Sequence, residues 1–135
     1  MRRLILASHE RMAEGVKRTL DFITNGCFDI TAICAYTSEQ PLQEQIQEVF
    51  SKFDDEDEVI IMTDMLSGSV NQALIPYRSD RTHLITGFNL PLALEVLLYS
   101  QDQRMGEEEL RRLVENARQQ LQLVITSGED MEDDE

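Results

Sequence analysis

At 135 residues with 41% hydrophobic content, the chain is sized for one domain with a real core and has the composition of an ordinary globular protein. Its formal charge is −14; six acids lie in the last eight residues, GEDMEDDE, and setting them aside leaves −8 on the rest. So acidic a surface repels nucleic-acid phosphates and anionic lipid, which excludes both as expected partners.

The first predicted element is a strand, RLILAS (3–8). Arg2 and Arg3 precede it, but Ser8, His9, Glu10 and Arg11 end the apolar run too early for a signal peptide. Ala13, Val16, Leu20 and Ile23 then recur at helical spacing. ITAICAY (30–36) reads as the second strand, with Cys34 in the core. Cys27 and Cys34 make no zinc pattern and are too few for a disulfide framework, so reduced thiols in a cytoplasmic protein are expected. Leu42, Ile46, Val49, Phe50 and Phe53 mark a second helix, with Pro41 in its first turn, and DDED (54–57) is expected as a solvated turn.

EVIIMT (58–63) is the third strand. A third helix is predicted from near Ser69 to just before Pro76. THLITG (82–87) is the fourth strand, and His83 within it is given a structural role. A fourth helix begins at NLP (89–91), with Asn89 as its N-cap. Residues 90–99 are apolar on nearly every side, so this helix needs two partners, expected to be the sheet and a second subunit. Leu110, Leu113, Val114, Ala117 and Leu121 mark a fifth helix. LQLVITS (121–127) is expected as a last strand, at the sheet edge or donated to a neighbour, and 128–135 as an acidic, disordered tail. No apolar stretch reaches the length of a membrane span.

The four strand runs are short and almost continuously apolar, as parallel strands covered on both faces should be. Four βα units imply right-handed crossovers. The expectation is a doubly wound α/β three-layer sandwich over residues 1–127. Its sheet is mainly parallel, with four strands plus a C-terminal edge strand. Ligands of such sheets bind at the carboxyl ends of the strands. That rim is predicted to hold His9, the segment Thr37–Ser38–Glu39, Asp64 with the loop TDMLSGSVNQ (63–72), and GFNLP (87–91).

Three features there suit a histidine that carries a phosphoryl group. His9 precedes a helix, whose free N–H groups and dipole favour an anion. Ser67, Gly68 and Ser69 form a small-residue turn that lets backbone N–H groups approach a phosphate. Asp64 can accept a hydrogen bond from one imidazole nitrogen and leave the other free to attack phosphorus. Each has a plain alternative: a histidine at a strand end is more often an ordinary surface residue, aspartate is a common turn or cap residue, and small-residue turns are frequent. Their coincidence on one rim carries the reading.

Over roughly residues 1–125, the chain resembles the mannose/fructose-family IIA components of the bacterial phosphoenolpyruvate-dependent sugar phosphotransferase system. The matching elements are LILASH with AEG (13–15), TDMLSGS, and ITGFNLPLALEVL (85–97), in that order. The resemblance implies a cytoplasmic phosphotransferase that takes a phosphoryl group from the phosphocarrier HPr on His9 and passes it to a IIB component. Membrane IIC and IID proteins then move the sugar. It further implies that Asp64 orients the histidine, that Ser67, Gly68 and Ser69 receive the phosphoryl oxygens, and that the protein is a homodimer in which a C-terminal strand can cross between subunits. No metal or cofactor is expected, because the donor phosphohistidine is already activated. Two departures stand out. Glu10 replaces the usual glycine after the histidine, and Ser67–Gln72 replaces the usual Gly-Gly-Ser-Pro-Phe-Asn. The alternative functions are a phosphorylation-dependent sensor module and a IIA-like subunit serving a dihydroxyacetone kinase.

Overall fold

The computed structural model describes residues 1–125. Four parallel strands, β1 (Arg2–His9), β2 (Ile30–Ala35), β3 (Glu58–Thr63) and β4 (Thr82–Thr86), form one sheet in the order β2-β1-β3-β4. The helices are α1 (Met12–Thr24), α2 (Leu42–Ser51), α3 (Ser69–Leu74), α4 (Leu90–Leu98) and α5 (Glu107–Arg118). A single 3-10 turn, Ile75–Tyr77, follows α3 and takes in Pro76.

Side chains alternate across the sheet and divide the core in two. Leu4, Leu6, Ile60 and Met62 pack under α1, α4 and α5. Ile5, Ala7, Ile33, Ala35 and Ile61 face the other way, under α2 and α3. Every residue of β3 is buried, which explains why its sequence is a run rather than an alternation. The doubly wound three-layer fold expected from the sequence is therefore present.

Four details differ from expectation. First, β2 stops at Ala35, because Tyr36 turns into the left-handed region at φ 68° and cannot continue a ladder. Second, α4 finds its second partner within its own chain. Leu92, Ala93, Val96 and Leu97 are buried in one cluster with Leu110, Leu113 and Ala117 of α5. Asn89 ties the two helices together: its Oδ1 accepts from Leu92 N at 3.0 Å, and its Nδ2 donates to the Ala117 carbonyl at 2.8 Å. Third, the turn at 54–57 is not wholly solvated. Asp57 is buried, accepting from Asp54 N and from Arg3 Nε, each at 2.8 Å. The bond from Asp54 holds its carboxyl below the usual range; burial opposes this and the Arg3 bond reinforces it.

Fourth, no strand forms over residues 121–125, where Leu121, Leu123, Val124 and Ile125 are exposed. The expected C-terminal edge strand is not present in these residues of the single chain. A strand exists only through a ladder partner, and among the described residues the backbone after α5 bonds only back into its own last turn, as in Leu121 N to Arg118 O. Residues 126–127 of that predicted strand, and the 128–135 tail, lie outside the described residues.

At the amino ends of the strands, the buried Arg2 fastens the sheet to the α4–α5 connection. Its Nε donates to Glu58 Oε1 at 3.0 Å, and its Nη groups donate to the carbonyls of Tyr99 at 3.0 Å, Ser100 at 3.0 Å and Gln103 at 2.8 Å. Glu58 Oε2 in turn accepts from Met105 N. Removing one partner strands the other charge in the interior. Arg2→Ala is expected to lower unfolding free energy by about 3–5 kcal/mol, read from the urea midpoint.

Candidate functional site

The chain runs from β1 outward to β2, then crosses back to place β3 on the other side of β1. This reversal opens a crevice at the carboxyl ends of β1 and β3, where doubly wound sheets bind ligands. His9 is the last residue of β1, and Asp64 directly follows β3.

Both His9 N and His9 Nδ1 lie 2.8 Å from Asp64 Oδ2. An ionised carboxylate only accepts, so Nδ1 carries the proton and Nε2 keeps its lone pair. Two bonds from one residue to one oxygen hold the ring in place. The imidazole remains 39% exposed while the Asp64 side chain is only 10% exposed. Burial alone would raise the Asp64 pKa, but the bonds from the His9 backbone and ring outweigh it and hold the carboxyl below its ordinary value. The second carboxylate oxygen, Oδ1, is buried without a hydrogen-bond partner among the described residues.

The turn from β1 to α1 is tied down by Ser8. Its Oγ accepts from Ala13 N at 2.8 Å, which uses one N–H of the first turn of α1, and reaches the Glu10 carbonyl at 3.3 Å. Glu10 takes φ 53°, donates its N–H to the Ala35 carbonyl at 3.0 Å, and is exposed. Glycine adopts that left-handed backbone without steric penalty, which explains why glycine is usual here in the family the sequence resembles.

The loop after β3 closes over the ring. A Cβ on Gly68 would lie 3.0 Å from His9 Cε1 and 3.1 Å from Met65 Cγ. Glycine is thus favoured by space rather than by backbone angle, since its φ is −84°. Ser69 Oγ meets the Tyr36 hydroxyl at 2.5 Å, and the Tyr36 ring centroid is 5.7 Å from that of His9. Ser67 lies exposed on the same loop.

Beneath the loop runs a buried polar chain. Thr63 Oγ1 lies 2.8 Å from both Asn71 Oδ1 and Thr86 Oγ1, and Asn71 Nδ2 donates to the Leu66 carbonyl at 3.3 Å. Asn71 Oδ1 can only accept, so the single proton of Thr63 goes to it and Thr86 donates to Thr63. The loop is thereby fastened to the end of β4.

The structure thus brings His9, Asp64 and Gly68 into one cluster and joins Ser69 to it through Tyr36. Sequence reasoning missed Tyr36 and Asn71. Tyr36 was absorbed into the second strand, although an aromatic at a strand's carboxyl end on the expected rim was a usable signal. Asn71 carried one too, as a polar residue on the inward face of a short helix.

Fold and site define an α/β protein in which a half-exposed imidazole is held by an aspartate at the switch point of a parallel sheet. Comparison with known proteins narrows this. Residues 3–114 match the family model described as PTS system fructose IIA component. A Klebsiella pneumoniae structure, assigned to a phosphoenolpyruvate-dependent sugar phosphotransferase system (PTS) permease, is 31% identical; the alignment covers 90% of each chain, with a TM-score of 0.79. The PTS IIA protein associated with the fucose utilization operon of Streptococcus pneumoniae is 26% identical over 90% of this chain and 92% of that one, with a TM-score of 0.75. The mannose/sorbose specific IIA subunit of Enterococcus faecalis, 17% identical over 93% and 96% with a TM-score of 0.73, shares the fold. The chain belongs to the PTS fructose IIA component family. Among its described residues, no helix is long and apolar enough to cross a membrane.

The depressed Asp64 pKa has a signed consequence. The unfolded chain binds the proton more readily, so the stability Asp64 contributes is complete above about pH 3.9 and is lost as pH falls through the lower folded value. Urea unfolding of wild type and Asp64→Asn across pH 2–6 is expected to show the difference in stability shrinking toward the acid end. Subtracting the variant removes the similar contribution of Asp57.

Proposed function

We propose that this protein is a cytoplasmic IIA component that accepts a phosphoryl group on His9 Nε2 from phospho-HPr and delivers it to a IIB component, which serves the membrane IIC and IID proteins. The observation that carries this reading is the exposed imidazole with Nδ1 fixed on Asp64 at 2.8 Å. In the transfer, the Nε2 lone pair forms the new P–N bond, while the donor's P–N bond breaks and its electron pair stays on the donor ring. The Nδ1 proton does not move. The positive charge that develops on the His9 ring faces the Asp64 carboxylate. Ser67, Gly68 and Ser69 are assigned to the phosphoryl oxygens; the space kept clear at Gly68 beside Cε1, the ring atom bonded to Nε2, supports this.

Tyr36 and Met65 stand near the ring, and Met12 and Leu66 lie on the adjoining segments, all large and exposed. An apolar border around a nucleophile suits docking by partner proteins. The active form is proposed to be a homodimer. Its support is a groove of about 1060 Å³ along the free edge of β4, lined by Leu84, Leu110 and Val114 among others, together with the exposed Leu121, Leu123, Val124 and Ile125.

With phosphoenolpyruvate, enzyme I and HPr, wild type is expected to gain an acid-labile, alkali-stable phosphate that His9→Gln does not. Label surviving in His9→Gln would remove His9 from the role. Asp64→Asn should slow labelling at least about tenfold, because a reversed tautomer takes the lone pair from Nε2. In sedimentation, the full chain is expected at the mass of a dimer and a chain cut after Gln120 at that of a monomer; equal masses would refute the dimer contact.

A further inference from the structure

Tyr36 combines three properties that a surface aromatic does not need. It is a bulky side chain held at φ 68°, a backbone region that disfavours Cβ-bearing residues. Its ring lies 5.7 Å from the His9 ring, tilted by 46°. Its hydroxyl is on Ser69 Oγ at 2.5 Å although the residue is 56% exposed. The left-handed turn directly after β2 swings the side chain across the rim from its own strand to the loop after β3. The result is a closed circuit in which His9 stands beside the loop at Gly68, the loop continues to Ser69, and Ser69 returns to His9 through Tyr36.

The two hydroxyls hold one proton each. The phenol is the stronger acid and the better donor, so it gives its proton to Ser69 Oγ. The serine proton is then free, and a hydroxyl that already accepts a hydrogen bond is a stronger donor. Ser69 adjoins Gly68, which lies against the Cε1 edge of the His9 ring, so the hydroxyl pair stands on the loop beside the imidazole.

We propose that Tyr36 is a positioning residue of the phosphoryl site, whose phenol donates to Ser69 and turns the Ser69 hydroxyl proton onto the phosphoryl group carried by His9. The inference rests on the reading of His9 as phosphoacceptor. Tyr36 forms no bond to the transferred group; it acts through Ser69. Its role is to stabilise the phosphorylated form relative to the free one.

That role is separable from partner docking. Contacts to HPr change the forward and reverse transfer rates alike and leave the equilibrium between phospho-HPr and phospho-protein where it was. A hydrogen bond made only in the phosphorylated protein shifts that equilibrium. The experiment mixes phospho-HPr with wild type, Tyr36→Phe, Ser69→Ala and the double variant, and measures the phosphoryl distribution at equilibrium. Unfolding temperatures confirm that each variant is folded. Tyr36→Phe is expected to shift the constant toward phospho-HPr by about two- to tenfold, the effect of one net hydrogen bond. Ser69→Ala should shift it at least as far, and the double variant no farther than Ser69→Ala. An unchanged constant in Tyr36→Phe, or effects that multiply in the double variant, would overturn the inference while leaving His9 as acceptor intact. Wild type that takes no label at His9 would overturn the proposed function and this inference with it.

Discussion

The site depends on a single oxygen atom. Asp64 Oδ2 accepts from both the main chain and the ring of His9, each at 2.8 Å. The first bond fixes where the residue sits and the second fixes which ring nitrogen is free. A carboxylate so placed is buried and would by itself prefer to be neutral, yet its two donors keep it charged. The arrangement works only because β1 and β3 are direct neighbours, in register through Ala7 and Thr63, which delivers position 9 and position 64 to the same place. A slip of one residue would turn the imidazole to the other face of the sheet.

The rest of the fold serves that register. The two core layers clamp β1 and β3 from both sides. At the pole away from His9, Arg2 and Glu58 sit opposite each other in register and are satisfied by main-chain groups of the α4–α5 connection. Near His9, the Thr86–Thr63–Asn71 chain fastens the loop that covers the ring. Buried polar groups thus pin both ends of the central strands, and apolar packing fills the length between them.

Much of this was legible in the sequence, for physical reasons. Strand β3 was read with the bounds it has, because two-sided burial gives an unbroken apolar run between acidic and small-residue turns. The Asn89 cap was readable from a polar residue placed before a proline and an apolar helix. That His9 and Asp64 share one rim followed from alternating βα units, which put every strand exit at the same end; their contact further needs β1 and β3 to be neighbours. What was hidden depends on partners distant in sequence. Asp57 looks like a surface acid until Arg3 is placed beside it. The greasy flank of α4 suggests another subunit until α5 folds onto it. Residues 121–125, apolar except at Gln122, have the composition of a strand, but a ladder needs a neighbour that composition does not supply. Tyr36 was hidden because a left-handed turn at an aromatic runs against local preference.

The crowding at Gly68 reaches beyond that residue. The space a Cβ would fill is bounded on one side by Met65 and on the other by the His9 ring. The methionine is flexible and can be shortened; the imidazole is pinned by Asp64 and cannot retreat. Positions 65 and 68 therefore share one volume, and their side chains trade size against each other while the ring acts as a fixed wall. Exchanging this loop with that of another protein of the same fold means carrying both positions together, so the unit of transplantation is the pair.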